Sequence, residues 1–456
     1  MKSSKFAMAL CASALFCIAT TATAEPPAGK FDQSFGLEGL RVVPFNVGGN
    51  FDDLPLAMVQ DSAERLLVAG FGAVDGSSKR CLAMLRLDVN GVLDASFGIE
   101  QNPPGKICHG DFLGEATVVS SGFGLAIRPD GDFFVAGAFN KAGQLRAYVC
   151  RFKPDGSFRQ EFGQVDTPGC YLHEQGPAPF TPAALLLKDD SVIVVANTLT
   201  GPMVMRIQQE SGDLEPFGNQ SQVPVLHASV QGVANGSNAL LTPDGDVIVV
   251  GDIKEQGDSD STDFLVARFD LGAGAADQTF GDSGAVRVSV FQGFDSASNV
   301  AMSKQGNLLI AGNINNGFND RRIGMVALDP ASGEERDVFA GGNAVQFYLP
   351  CEPDVCVLIL RTMIVTPEGF IALGGTFDSK MFVARLEPDG SGDSEFADNG
   401  FFVFDATGLN ESVAAVVSQE ERLVAAGSVR SGTNADFAVF RLSDGRLFSD
   451  QFESQQ

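Results

Sequence analysis

The sequence predicts an all-β protein, a seven-bladed β-propeller built from four-stranded antiparallel blades. Three observations lead to this prediction: a short phrase that recurs along the chain, four apolar runs in each interval between its copies, and turn-forming residues between the first two runs. The runs are short, rich in β-branched and aromatic residues, and bounded by Pro, Asp or Gly, as β-strands are. A repeating unit of about 60 residues with four strands has the size of a propeller blade.

The recurring phrase is typified by FDQSFG at 31–36 and LDASFG at 93–98. When its aromatic residue is taken as the anchor, the copies lie near positions 35, 97, 162, 217, 280, 339 and 396, and a degraded copy lies at 452. The anchors are therefore 55 to 65 residues apart. A repeat of this kind indicates one domain rather than the two or three expected from length. We place a single propeller domain at residues 25–456.

We name the four runs of each repeat strands A, B, C and D. In the fourth repeat they are predicted at 239–241, 247–250, 264–269 and 285–290, with the turn Pro243-Asp-Gly245 between A and B. Strand B usually ends in glycine, and the third repeat has Asn197 instead. Asparagine is the next-best residue for a left-handed backbone, so we expect a positive φ or a β-bulge there. The glycines are Gly70, Gly137, Gly251, Gly312, Gly374 and Gly427.

The order of the runs predicts how the ring closes. The chain begins with an anchor phrase and a D-type run at 40–45, before any A strand, and ends just after the seventh C strand at 437–441. The last blade therefore lacks its own D strand. We expect the N-terminal run to supply it and to cover an otherwise open sheet edge.

The segments LAIRPDGDFFVAG at 125–137, FVARLEPDG at 382–390 and LDASFG at 93–98 together resemble the delta-60 repeat of secreted and surface-associated bacterial proteins. The resemblance covers nearly the whole chain after residue 24 and is weakest in the third and fifth repeats. It implies a β-propeller and export. The family has no catalytic residues to carry over.

Residues 1–24 have the pattern of a signal peptide, with two early lysines, an apolar stretch and the small residues Ala22-Thr-Ala24 before the cleavage site. No later run reaches the roughly 18 apolar residues of a membrane span. We expect an exported protein, periplasmic or extracellular. The formal net charge of −26 disfavours nucleic acid as a partner. The expected partner is an unidentified protein or small molecule, and the chain is expected to be a monomer without a cofactor.

Six cysteines follow the predicted signal peptide, an even number in an oxidising compartment. Cys81 begins a C strand and Cys108 lies late in the next D strand, whereas Cys150 ends a C strand and Cys170 begins its D strand. Strands C and D are antiparallel neighbours, so the start of one lies beside the end of the other, and both pairs are expected to form disulfides. Cys351 and Cys356 remain to close a short loop.

Several candidate chemical groups are better explained without catalysis. His109, His173 and His227 fall in D strands of successive blades, too far apart to share one metal, and are expected at the surface. The GDSG sequence at 281–284 has no histidine in its blade to act as a base. Acidic residues at 258–263 have the spacing that begins a calcium loop but lack the later EF-hand glycine and glutamate. A looser calcium site stays open as an alternative to a solvated loop.

Six C strands end in arginine, and we expect ion pairs with the aspartate of the recurring phrase rather than an anion trap, because C is the third strand from the axis. The arginines are Arg86, Arg151, Arg206, Arg268, Arg385 and Arg441, with Ala327 in the fifth repeat; the aspartates are Asp94, Asp277, Asp337 and Asp393.

These observations favour a non-catalytic binding or structural module. The alternative is an axial-face lyase or hydrolase acting on carbohydrates or lactones, but the predicted A strands are almost wholly apolar. The B–C loops (71–80, 252–263, 313–322) and D–A loops (110–121, 350–361) are long and variable, and recognition is usually built on such loops. The candidate ligand-binding residues there are Asp258, Asp260, Asn315, Asn316, Asp320, Arg321 and Arg322, beside the Cys351–Cys356 loop.

Overall fold

The computed structural model contains only β-strands as regular structure in the residues it describes. These are 27–45, 52–73, 80–101, 103–110, 112–113, 117–173, 180–199, 201–217, 225–227, 233–254, 261–291, 293–315, 321–339, 342, 344–347, 357–406, 411–431 and 434–445.

The strands form seven sheets that are the blades of a propeller, each antiparallel and ordered A, B, C, D. Strand β1 (Leu40–Val43) belongs to the last blade. Blades 1 to 3 consist of β2 (Leu54–Gln60), β3 (Leu66–Ala73), β4 (Arg80–Leu87) and β5 (Lys106–His109); β6 (Thr117–Ile127), β7 (Phe133–Lys141), β8 (Gln144–Phe152) and, after the small hairpin β9 (Gly163–Gln164) and β10 (Thr167–Pro168), β11 (Cys170–His173); and β12 (Thr181–Lys188), β13 (Ser191–Thr198), β14 (Gly201–Gln208) and β15 (Val225–His227).

Blades 4 to 7 follow in the same order. They consist of β16 (Val233–Leu241), β17 (Val247–Lys254), β18 (Asp263–Asp270), the short β19 (Ala275–Ala276) and β20 (Ala285–Val288); β21 (Phe294–Met302), β22 (Leu308–Asn315), β23 (Arg321–Leu328) and β24 (Ala344–Phe347); β25 (Leu358–Val365), β26 (Ile371–Phe377), β27 (Lys380–Leu386) and β28 (Phe401–Phe404); and β29 (Ser412–Gln419), β30 (Arg422–Ser431) and β31 (Asn434–Leu442).

The ring closes as the order of the runs predicts. Strand β1 pairs antiparallel with β31, from Leu40 opposite Phe440 to Val43 opposite Phe437. The seven A strands contact one another in sequence, and β29 of blade 7 contacts β2 of blade 1. The A strands are therefore innermost and surround the central channel, and the N-terminal segment completes blade 7.

The recurring phrase forms a turn whose aromatic residue is buried. All seven anchors are less than 5% exposed: Phe35, Phe97, Phe162, Phe217, Phe280, Phe339 and Phe396. In the FDQSFG copy, Asp32 Oδ1 accepts the backbone N–H of Ser34 at 2.9 Å, and the Asp94 carboxylate accepts that of Ser96 at the same distance. The closing glycine has a positive φ, for example 57° at Gly36, a conformation that favours glycine. The phrase thus encodes one turn repeated around the ring.

Two explanations were predicted for the glycine near the end of strand B, a positive φ and a β-bulge, and the first is wrong. None of these glycines has a positive φ. Instead, in blades 1, 4, 5 and 7 it pairs with the residue just before a β-bulge of strand A, as Gly251 does with Gly236. In blades 2 and 3 the residues at that position are Ala138 and Ala196. The bulge pushes the A-strand backbone against strand B, so that a Cβ on Gly251 would lie 1.8 Å from the carbonyl oxygen of Asn235. In blade 6 the equivalent residue is Gly375 rather than Gly374, since Gly375 pairs with the residue before the bulge.

Two disulfides join C and D strands within blades. Cys81 and Cys108 have their Cα atoms 5.4 Å apart, and Cys150 and Cys170 have theirs 4.1 Å apart. Both pairs are those predicted from strand adjacency, and the second pair is directly opposed in the β8–β11 ladder. Cys351 and Cys356 lie outside the described residues.

Candidate functional site

The A–B and C–D connections share one end of the propeller, which we call the turn face, and the B–C and D–A connections share the other, the loop face. On the turn face the C-strand arginines form ion pairs with the recurring phrase, as predicted for Asp94, Asp277 and Asp393. Asp337 is exposed and has no such partner because its blade carries Ala327 at the arginine position. Arg151 pairs instead with Asp132, at 2.9 Å.

Most of these arginines also reach the next blade. Arg441 donates to the carbonyl oxygen of Val89, Arg86 to that of Pro154, and Arg268 to that of Pro330. The guanidinium groups of Arg86 and Arg441 each lie against a phenylalanine ring, 5.1 Å from the centroid of Phe97 and 5.0 Å from that of Phe35. These turn-face arginines therefore connect neighbouring blades. Because their guanidinium groups are already paired within the protein, they have little capacity to bind a ligand.

On the loop face, a buried acid at the start of three A strands bonds the incoming D–A backbone. Asp53 accepts the N–H of Phe45 at 2.8 Å, and Glu411 accepts that of Ala406 at 3.0 Å. The third acid, Asp295, is completely buried and accepts two N–H groups, those of Val290 and Phe291, at 2.9 and 2.7 Å. Burial raises the pKa of Asp295 to about 6, although these two bonds act in the opposite direction.

The channel wall is not apolar throughout, which corrects the prediction for the A strands. In each of blades 4, 5 and 6, the extra residue of the A-strand bulge is more exposed than the buried residue before it. Because the A strand is innermost, the extra residue is exposed to the channel. In blades 4, 5 and 6 the extra residues are Ser237, Ser298 and Arg361. Bulges are known to redirect side chains near functional sites. Three successive blades thus present polar side chains at the same level of the channel.

Asparagine side chains from the preceding blade hold these three bulges. Asn197 bonds both backbone groups of Gly236, each at 2.6 Å. Asn238 donates to the carbonyl oxygen of Ser298 at 3.3 Å. Each of these bonds crosses from one blade to the next, so the bulges are fixed relative to one another.

The blade 6 bulge is held on both sides. Asn313 bonds both backbone groups of Leu360, accepting at 2.8 Å and donating at 3.2 Å, and Asn299 accepts the N–H of Met363 at 3.0 Å. Backbone groups before and after Arg361, those of Leu360 and Met363, are therefore bound to blade 5. The Arg361 side chain itself is exposed and makes no hydrogen bond or ion pair with any described residue.

A carboxyl group lies beside this wall. Asp252 on β17 accepts hydrogen bonds from Asn235 at 3.1 Å and Ser296 at 3.4 Å. Burial raises the pKa of Asp252 above its usual range, against the effect of these two bonds. We refer to these residues together as the polar sector: Asn235, Ser237, Asp252, Ser296, Ser298 and Arg361. It contains hydroxyl, amide, carboxyl and guanidinium groups that can make hydrogen bonds with a polar ligand.

The residues predicted from the sequence lie farther from the axis. Asn315 and Arg321 are opposite each other at the loop-face end of β22 and β23, and Arg322 is opposite Ile314. Arg321 is also bridged to Val357 of blade 6. They lie at the loop-face ends of strands B and C of blade 5, whereas the polar sector is centred on the A-strand bulges. Asp258, Asp260, Asn316 and Asp320 lie outside the described residues.

The polar sector was missed because the A strands begin earlier than their apolar runs. Strand β16 begins at Val233 rather than near Ala239, and β25 begins at Leu358, so Arg361 is in a strand and not in the predicted 350–361 loop. One sequence signal does exist. Asn238 and Asn299 each follow a serine and precede the B-strand glycine by the same number of residues, and Arg361-Thr362 stands in that position in blade 6.

Two of the three histidines, His109 and His173, are not surface residues, contrary to expectation. His173 is 5% exposed, bonds Tyr171 at 3.0 Å and packs on Phe180. His109 is partly buried, and its ring bonds the carbonyl oxygen of Gly156 at 3.1 Å. Burial lowers the pKa of both rings, so both are neutral at pH 7. The side chain of His227 is not among the described ones.

The described part of the chain contains no group of three or more His, Cys, Asp or Glu placed to hold a metal ion. Of the 258–263 acids considered for calcium, Asp263 is buried and forms an ion pair with Arg287. That ion pair leaves its carboxylate already neutralised.

Comparison with known families supports the repeat architecture. The sequence profile of a β-propeller family described as a domain of unknown function, DUF5122, matches residues 65–97, 128–158 and 367–396. Each segment runs from the A–B turn through strands B and C into the recurring phrase. No curated protein matches the chain.

The chain is similar to several solved structures. For the α-L-arabinofuranosidase Arb93A of Fusarium graminearum, the TM-score is 0.45 at 11% identity, covering 90% of this chain and 99% of that one. For prolyl oligopeptidase B of Galerina marginata, the TM-score is 0.46 at 12% identity, covering 89% of this chain and 50% of that one. For Sqt1 of Chaetomium thermophilum, the TM-score is 0.41 at 12% identity, covering 85% of this chain and 83% of that one. At these identities and TM-scores the likeness says nothing about activity. Within the described ranges, no helix is long and apolar enough to cross a membrane.

Proposed function

We propose that this chain is an exported binding module that recognises a small polar ligand at the loop-face mouth of its central channel. The observation that carries the proposal is the polar sector, in which Ser237, Ser298 and Arg361 occupy equivalent bulges on three successive inner strands. Interblade bonds from asparagine side chains fix these bulges before any ligand arrives. A site whose groups are already in place binds without the cost of ordering them.

Binding is favoured over catalysis by the composition of the site. Glycoside hydrolysis generally needs two carboxyl groups about 5–10 Å apart, and the polar sector has one, Asp252. The two histidines whose side chains are described lie in D strands, away from the inner wall, and bond Gly156 and Tyr171. A lyase or hydrolase would have to obtain its second acid or its base from the loops that lie outside the described residues.

Export and repeat type belong to the same proposal. Two disulfides support an oxidising compartment, as does the leader pattern at 1–24, so we assign the mature protein to the periplasm or the cell exterior. The recurring phrase supports assignment of the repeats to the delta-60 type. Asn315, Arg321 and Arg322 would form an outer rim that contacts a ligand extending out of the channel.

The proposal is tested with the mature protein and a panel of amino acids, neutral sugars and sugar acids, ranked by thermal shift and measured by calorimetry. Replacing a charged hydrogen-bond donor to a ligand costs about 1.5–3 kcal/mol, so Arg361→Ala should weaken binding about tenfold to a hundredfold. Arg336→Ala is the control, because Arg336 is an exposed arginine on the turn face that pairs only with Asp329. Ligands that bind both variants and the parent equally would refute a site at the polar sector.

A further inference from the structure

A cleft between blades 3 and 4 opens on the turn face, opposite the proposed channel site. Its volume is about 180 Å³, and its walls are Lys188, Asp189, Ser191, Arg206, Leu271 and Gly272. We call it the interblade cleft. Lys188, Asp189 and Ser191 come from the A–B turn of blade 3, Arg206 from the end of its C strand, and Leu271 and Gly272 from the C–D connection of blade 4.

The cleft lies where a contact that recurs between other blades is missing. At five interfaces the C-strand arginine bonds an oxygen of the next blade's C–D connection. These contacts are Arg86 to Pro154, Arg151 to Gln209, Arg268 to Pro330, Arg385 to Asp444 and Arg441 to Val89. Arg206 is the equivalent residue of blade 3, but its partners are Glu215 and Pro216 of its own blade. The space that the guanidinium fills elsewhere is therefore open here.

The Arg206 side chain is only partly used by its own blade. Its contact with Glu215 is 3.5 Å long, against 2.6–3.0 Å for the corresponding pairs of Arg86, Arg268 and Arg385. Its Nε is buried and has no hydrogen-bond partner. Glu215 is in turn held by the hydroxyl of Ser191 at 2.7 Å. The Arg206 side chain is 27% exposed, so other N–H groups of its guanidinium can donate at the cleft wall.

A second cation borders the same space. A Cβ on Gly245 would lie 3.0 Å from the Nζ atom of Lys188, so the ammonium group of blade 3 lies against the A–B turn of blade 4. Asp189 is its ion-pair partner at 3.4 Å, but that carboxylate is 85% exposed and such pairs contribute little. The cleft thus has two cations at its walls, Lys188 and Arg206, each with one long ion pair to a carboxylate, Asp189 at 3.4 Å and Glu215 at 3.5 Å.

We propose that the interblade cleft binds the carboxylate group of a small acidic molecule. An arginine presents parallel N–H donors that suit a carboxylate, and a lysine adds a point charge beside it. Drug-sized ligands occupy pockets of about 300 Å³ or more, so the interblade cleft suits an acid no larger than a single sugar acid or amino acid. This site is independent of the polar sector, since its walls lie on the opposite face and share no residue with it.

The probe is glucuronate, with glucose as its uncharged counterpart and inorganic phosphate as a competing anion, each titrated into the mature protein by calorimetry at low salt. Glucuronate should bind with a Kd below about 10 mM, Arg206→Gln should leave any binding of glucose unchanged, and phosphate should bind more weakly than glucuronate. Arg206→Gln and Lys188→Gln should each weaken glucuronate binding at least about tenfold, and Arg206→Lys should restore part of it.

One control makes the result decisive. Arg336→Gln removes a turn-face arginine outside the cleft and should leave glucuronate binding unchanged. The proposal is overturned if glucuronate does not bind, if Arg206→Gln binds it like the parent, or if phosphate binds more tightly. Loss of binding in Arg361→Gln alone would move the acid to the polar sector.

Discussion

Closure of the ring depends on one buried arginine, and its removal gives the sharpest test of the fold. Arg441 of blade 7 bonds Asp32 of the N-terminal segment at 2.7 Å, Val89 of blade 1 at 2.7 Å and Gln419 at 2.8 Å. A third nitrogen donates to Ser34 at 3.0 Å. One guanidinium therefore connects the last blade, the first blade and the segment that supplies the closing strand.

Replacement by methionine keeps much of the side-chain volume but removes all of these bonds. Asp32 is 4% exposed, so its carboxylate would stay buried with bonds only from Ser34 and a distant contact with Arg422 at 3.6 Å. Removing one partner of a buried pair costs about 3–5 kcal/mol. With the unfolding entropy expected of a chain this long, that loss lowers Tm by about 3–6 °C.

The assay is differential scanning calorimetry of the mature parent, Arg441→Met, Asp32→Asn and the double variant. The two single changes should be coupled by more than about 1 kcal/mol, because each removes the same interaction. Arg206→Met is the matched control: its side chain is 27% exposed and its ion pair is 3.5 Å long, so it should cost about 1 kcal/mol or less. Equal Tm losses in Arg441→Met and Arg206→Met, or additive single changes, would refute the role of Arg441 in closure.

The same ion pair predicts a pH dependence. Burial opposes ionisation of Asp32, but hydrogen bonds from Ser34 and the charge of Arg441 outweigh it, so the pKa of Asp32 lies below its usual range. The unfolded chain then takes up this proton at higher pH than the folded protein. The stabilisation is present above about pH 4 and is lost as the pH falls through the folded pKa. The Tm difference between the parent and Arg441→Met should therefore shrink in acid.

Three further predictions concern other parts of the fold. Deleting residues 25–46 removes β1 and exposes the edge of β31, so the protein should aggregate or melt well below the parent; unchanged melting would contradict closure by this strand. Gly251→Ala should cost more than about 3 kcal/mol in chemical denaturation, since its Cβ would meet a carbonyl oxygen at 1.8 Å, whereas Gly110→Ala, with no atom within 4 Å, should be neutral. Because the pKa of Asp295 is raised to about 6 in the folded protein, its ionisation lowers the free energy of unfolding as the pH rises from about 4 through 6, by up to roughly 3 kcal/mol. Asp295→Asn should therefore raise Tm at pH 7.5 and flatten its change between pH 5 and 7.5; an equal slope in both proteins would show that Asp295 is not the group responsible.

The sequence predicts the parts of this fold that every blade repeats. The turn made by Asp94, Ser96 and Phe97 is local, so seven copies of one phrase reveal seven turns. The closing strand and both disulfides follow from the order of the runs, because adjacent antiparallel strands leave few ways to pair them. These features depend on neighbours in sequence or on the next strand.

The candidate site was not predictable in the same way. Ser237, Ser298 and Arg361 lie on halves of A strands that line the channel, so they lack the apolar pattern by which strands are recognised. The bulge depends on pairing with strand B, and the asparagine bonds depend on the next blade. His173 shows the converse error: a polar residue in an outer strand was expected at the surface, but Tyr171 and Phe180 bury it.

The two proposed sites occur where blades 3 to 6 depart from the common repeat. Blades 7, 1 and 2 carry the closing strand, the Arg441 cluster and both disulfides, and a change there would put ring integrity at risk. Blades 3 to 6 have no described disulfide and include the interface where Arg206 does not reach its neighbour and the blade where Ala327 replaces arginine. A ring that is already closed elsewhere can tolerate the loss of one interblade arginine contact, because each blade is still packed against a neighbour on both sides. In a repeat protein a group freed from the common packing role becomes available for a ligand, and Arg206 and Arg361 are two such groups, one on each face.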